Sequence, residues 1–146
     1  MNTMKWTDAL LLDFEPMDTA HRAFVDLLAQ AQAASDEALP QTWAALVAHT
    51  ADHFGGEDEW MRRTAFAAAD NHLLQHRVVL NVLREGLVLA RVGQLSEVRE
   101  MAFELGAWFT KHTQSQDAAL ALHLRRQPAL AGRGGSGGGR TAQAPA

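Results

Sequence analysis

Along residues 18 to 126 apolar side chains return every three or four positions, and histidines and carboxylates stand inside the same stripes. Spacing at i, i+3, i+4 and i+7 turns one face of a helix toward a core, so the polar groups in these stripes are turned inward as well. A buried imidazole or carboxylate requires a partner. The chain is thereby restricted to helices packed around a polar interior, and it offers no convincing strand alternation.

Four helices are predicted. Helix A starts at Asp18 as its N-cap, carries His21, Phe24, Val25, Leu28 and Gln32 on one stripe, and fades around Asp36. Helix B begins at Pro40, whose fixed φ suits a first helical turn, with Trp43, Leu46, Val47, Thr50, His53, Phe54, Glu57, Trp60 and Met61 inward. Helix C is capped by Asp70 or Asn71, presents His72, His76, Val79, Leu80, Leu83 and Leu87, and stops at Gly93. Helix D runs from Ser96 with Val98, Met101, Leu105, Trp108, Phe109 and His112 inside, and ends before Pro128 with Arg125 and Arg126 at its dipole-favoured end.

Short connections between long helices give an all-α, up-down-up-down four-helix bundle. The segment before Asp18 holds Trp6, Leu10, Leu11, Leu12 and Phe14, too apolar for water, and is expected to pack along the bundle as an extended arm. From Gly132 the chain reads GRGGSGGGRTAQAPA and has nothing to anchor it. The expected division is a bundle over 1–131 and a flexible, disordered Gly-rich tail over 132–146.

Composition removes several function classes. The formal charge is −4, and with Arg133 and Arg140 in the tail residues 1–131 carry 11 − 17 = −6, a poor surface for nucleic acid. The apolar run Ala9–Leu12 is too short for a signal peptide or membrane span, so a cytoplasmic setting is expected. Without cysteine there is no disulfide, thiolate metal site or thiol catalysis. Any metal must be held by nitrogen and oxygen.

Nitrogen and oxygen donors are abundant. His53 and Glu57 are four apart on helix B, as are His72 and His76 on helix C, so each pair stacks on one face ready to chelate. Helix A adds His21, and helix D adds His112 and, five residues on, Asp117. Five imidazoles and two carboxylates are too many for one tetrahedral zinc and suit two octahedral first-row ions sharing carboxylates, with iron the natural candidate. Five residues of α-helix advance 500°, leaving Asp117 about 140° from His112. A π-bulge or similar widening is therefore expected between them. His49 and His123 fall outside the set; His49 is expected as a partly exposed helix histidine, and His123 has no assigned role.

The stretches Trp6 with Met17-Asp18-Thr19-Ala20-His21, His53-Phe54-Gly55-Gly56-Glu57 with Met61, His72-Leu73-Leu74-Gln75-His76, and Trp108 through His112 to Asp117 resemble the bacterial hemerythrins over about residues 4 to 120. The resemblance implies a non-haem di-iron centre that binds dioxygen reversibly, in a carrier, store or sensor rather than an enzyme. His72, His76 and His112 would complete one iron and His21 and His53 the second, with Glu57, Asp117 and an oxo or hydroxo group bridging. Phe54, Trp108, Phe109 and Thr113, beside ligand residues, are the candidates for the wall of the oxygen pocket. A monomer is expected, with an oxygen-consuming enzyme as a possible client.

The chain also departs from the family pattern. Asp13 stands where glycine is usual, Gly55 and Gly56 interrupt helix B between two ligands, Thr113 replaces a large aliphatic residue, and the Tyr-Pro before the helix C pair is missing. The alternative function is a di-iron redox enzyme, or a redox or nitric oxide sensor, whose centre oxygen oxidises irreversibly. Against the enzyme stands the absence of any Glu-x-x-His pair: Glu57-Asp58-Glu59-Trp60 lacks the histidine. A third reading is a structural module with incidental metal.

Overall fold

The computed structural model describes residues 3–127. Its helices are α1 (Glu15–Ala33), α2 (Leu39–Arg63), α3 (Ala69–Arg91) and α4 (Leu95–His112), followed by a π-helical segment (Thr113–Asp117) and α5 (Ala118–Arg125), which prolongs α4. Each long helix packs on its neighbour in sequence, and α4 closes the ring against α1, giving a four-helix bundle. The expected flexible tail lies outside the described residues.

Three local expectations are corrected. Asp18 is not an N-cap, because α1 already begins at Glu15 with Pro16 in its first turn. The Asp18 carboxylate instead reaches back and accepts the amides of Leu12 (2.8 Å) and Phe14 (3.2 Å), fastening the arm to the helix. Neither Asp70 nor Asn71 caps α3, whose N-cap is Ala68; Phe66 accepts the first amide, that of Ala69. Gly55 and Gly56 do not interrupt α2, which runs unbroken through both, since packing of its inner face overrides the low helix propensity of glycine. At the far end of α3 Gly93 adopts φ 86°, the left-handed stop that its type predicts.

The N-terminal arm packs along the bundle but is not wholly extended, since Asp8–Leu10 closes a 3-10 turn that buries Leu10. Met4 donates its amide to Gln32 (2.6 Å), whose side chain in turn donates to the carbonyl of Ala102 (3.0 Å). Trp6 packs beneath the Arg22 guanidinium, 4.7 Å from its ring centre. Asp13, at the turn into α1, has φ 58°, a left-handed conformation in which glycine or a short polar residue is least strained.

The core divides in two. One cluster centres on Phe24, Leu28, Trp43, Leu46, Val98 and Phe109; the other holds Met17, Trp60, Met61, Leu120, Ala121 and Leu124. Gly86 lets α2 and α3 approach closely, because a Cβ there would stand 2.9 Å from both the Trp43 indole nitrogen and the Met101 sulfur. That indole donates to the carbonyl of Leu83 (2.8 Å), so it has no room to retreat. Between the two apolar clusters lies a polar belt. On α1 it falls between Met17 and Phe24, on α2 between Val47 and Trp60, and on the last helix between Phe109 and Leu120.

Candidate metal centre

The belt contains His21, His53, Glu57, His72, His76, His112 and Asp117, each at most 3% exposed. Their placement follows from the helices that carry them. His53 with Glu57 and His72 with His76 sit one turn apart on the inner faces of α2 and α3. Between His112 and Asp117 the helix widens into the π segment, as the five-residue step requires: in i to i+5 geometry residues five apart come back over one another.

Glu57 and Asp117 occupy the middle. One Glu57 oxygen lies 3.0 Å from His53 Nε2 and 3.5 Å from His21 Nε2; the other lies 3.2 Å from His76 Nε2 and 3.5 Å from His72 Nε2. Asp117 is divided in the same way, with one oxygen 3.1 Å from His21 and the other 2.9 Å from His72 and 3.2 Å from His112. Two groups of donors result, Glu57, His72, His76, His112 and Asp117, and His21, His53, Glu57 and Asp117, each with donor atoms within 4.8 Å of one another. Both carboxylates belong to both groups.

These distances suit metal coordination. For metal–ligand bonds of about 2.1 Å, adjacent corners of an octahedron are separated by about 3.0 Å. Both oxygens of Glu57 and Asp117, and Nε2 of His21, His72, His76 and His112, are buried without a hydrogen-bond partner among the described residues. So dense a set of unsatisfied polar atoms is untenable in a stable interior unless something outside the chain joins them.

Without metal, protons take part of that role. Burial opposes charge on His21 and His72, but Asp117 and Glu57 outweigh it and push the imidazoles up to about 10 and about 9. Burial likewise opposes ionisation of Glu57, yet His53, His21 and His72 hold its carboxyl well below the usual range. Asp117 is held low by His112, His21 and His72 against its burial and the charge of Glu57.

An outer layer orients the imidazoles. His76 Nδ1 pairs with an Asp58 oxygen at 2.7 Å, and His112 Nδ1 with the Gln75 side-chain oxygen at 2.8 Å, which fixes Nε2 as the inward nitrogen of both rings. Sequence reasoning did not single out Asp58 or Gln75 for this task. Their adjacency to Glu57 and His76 was the only available signal, and residue adjacency does not reveal contact across a helix pair.

The expected pocket residues lie against the donors. Phe54 stacks on His76 (4.0 Å between ring centres), Trp108 on His112 (4.4 Å), and Phe109 meets His21 edge-on (5.3 Å). Thr113 is fully buried in the π segment. His49 stands outside the belt, half-buried, with Nε2 3.0 Å from the carbonyl of Ala20 and burial lowering its pKa. His123 is also outside, pairing with the Thr64 hydroxyl (2.9 Å).

A family model described as the hemerythrin HHE cation binding domain matches residues 13–122, a span that includes all seven donors. The chain belongs to the hemerythrin family. It is 31% identical over 127 residues to a bacteriohemerythrin of Ralstonia nicotianae, covering 87% of this chain and 93% of that relative. The departures from the family pattern at Asp13, Gly55, Gly56 and Thr113 leave every donor in place. Among the described residues no helix is long and apolar enough to cross a membrane.

Proposed function

We propose that this hemerythrin is a non-haem di-iron protein that binds dioxygen reversibly, as a carrier, store or sensor rather than an enzyme. The observation that carries the reading is the pair of donor groups that overlap in Glu57 and Asp117 and nowhere else. His72, His76 and His112 would hold one iron, His21 and His53 the other, and the two carboxylates would span both, together with an oxo or hydroxo bridge. The iron pair, when bound, supplies the two electrons that reversible dioxygen binding requires.

The chain contributes geometry and exclusion. The unequal groups, five donors against four, leave the His21 and His53 side less completely surrounded by protein. Asp58 and Gln75 hold His76 and His112 in one orientation, favouring that half as the fixed one. Phe54, Trp108 and Phe109 lay apolar rings against the imidazoles and keep bulk water from the centre. A histidine-rich donor set without a Glu-x-x-His pair supports binding over oxidative turnover.

The test is the visible spectrum of the reduced, iron-loaded protein. It is expected to colour in air and lose that colour under argon over repeated cycles. Irreversible conversion to the ferric state on first exposure would replace this reading with a redox enzyme or sensor.

A further inference from the structure

Five hydroxyl groups in these helices share one habit. Thr42, Thr50, Thr64, Thr110 and Ser115 each donate to the carbonyl four residues earlier, those of Ala38, Leu46, Trp60, Gly106 and Lys111, at 2.6 to 3.1 Å. Thr113 breaks the habit. The Phe109 carbonyl stands one turn back and accepts the Thr113 amide, but the Thr113 hydroxyl does not use it. Its Oγ1 is buried with no hydrogen-bond partner among the described residues, in a side chain with 0% exposure.

A buried hydroxyl is rarely left unsatisfied, least of all where a helical carbonyl is within reach. Its surroundings indicate where the missing partner sits. Thr113 follows His112 directly, and it lies four residues after Phe109, on the same helical face. Phe109 touches His21, a member of the four-donor group. Thr113 is thus linked along its helix to both donor groups, to the five-donor group through His112 and to the four-donor group, which has fewer protein donors, through Phe109.

Building on the di-iron reading, we propose that Thr113 is a specificity-determining residue, whose hydroxyl donates a hydrogen bond to a small polar ligand held on the His21 and His53 side of the centre. Ligands that can accept a hydrogen bond there, such as small anions and reduced forms of dioxygen, are favoured over apolar ones. An aliphatic residue at 113 would offer shape and no donor. The π segment makes this possible, because it carries Thr113 and Asp117 into the interior together.

The test uses azide, a hydrogen-bond acceptor, titrated into the ferric iron-loaded protein, with iron counted in every sample. Thr113→Val, nearly equal in volume, is expected to weaken azide binding about tenfold to a hundredfold with the iron count unchanged, and Thr113→Ser to restore most of it. Equal affinity for the wild type and Thr113→Val overturns the proposal, as does an iron-loaded wild type that takes up no azide. Thermal unfolding of the metal-free proteins supplies the second readout. Because no group among the described residues satisfies the hydroxyl, Thr113→Val is expected to unfold no earlier than the wild type. A midpoint several degrees lower would mean that the hydroxyl is bonded within the chain, which also overturns the proposal. A wild type that takes up no iron sinks the di-iron reading instead, and the metal-free comparison still decides whether the hydroxyl is free.

Discussion

Glu57→Ala is expected to empty both halves of the centre, whereas His53→Ala empties one. The difference follows from the carboxylate's position: one oxygen faces His53 and His21, and the other faces His76 and His72. Losing Glu57 reduces the donor groups from five to four and from four to three at once, while losing His53 changes only the smaller group. A side chain that merely orients a ligand is worth about 10- to 100-fold in metal affinity, and a ligand is worth at least as much. Withdrawn from two sites, that is about 10²- to 10⁴-fold over the pair. Iron per purified chain, measured by elemental analysis, is expected to fall from two to well below one in Glu57→Ala and to about one in His53→Ala. Glu57→Gln, which keeps the volume, is expected to behave as Glu57→Ala does in iron content. Removing the buried carboxylate also strips charged imidazoles of a partner, a loss of about 3–5 kcal/mol in the metal-free protein. At this chain length that lowers the unfolding midpoint by roughly 10 °C. One tightly held iron in Glu57→Ala, equal to His53→Ala, would refute the claim that the carboxylate serves both halves.

Asp117→Ala is expected to match Glu57→Ala in iron content, while His49→Ala and His123→Ala leave the count at two; any loss of iron in the latter pair places those histidines wrongly. Gly55→Ala is expected to stabilise the protein by about 1 kcal/mol, since the position is exposed and an added Cβ meets nothing within 4 Å; denaturant unfolding checks it, and a loss of stability would contradict the open space seen there. The metal-free protein is expected to lose stability as pH rises, because His21 and His72 bind protons more tightly folded than unfolded. That contribution is complete below about 6.5 and disappears as pH climbs through about 9 to 10. Glu57 and Asp117 have lowered values and give the opposite limb, present above the ordinary carboxylate range and lost toward acid. Unfolding midpoints that are flat between pH 6.5 and 10 would contradict the first limb.

What the sequence by itself determined was what one helix can encode. The stripes required a bundle, the four-residue steps placed His53 with Glu57 and His72 with His76, and the five-residue step from His112 to Asp117 required the π segment. Each is a relation between neighbours on one helix, whose pitch is known before folding. The starts of α1 and α3 were less legible, because Phe14 and Ala68 carry no capping side chain and the ends are set by the turns leading into them. Only the tertiary structure decided which oxygen of Glu57 faces which imidazole, that Asp58 and Gln75 cross from their helices to orient His76 and His112, and that the Thr113 hydroxyl has no partner among the described residues. Asp58 and His76 are 18 residues apart, and Gln75 and His112 are 37 apart. Contacts of that kind depend on the rotation and depth at which helices pack, which the apolar stripes set only to within a side chain's width.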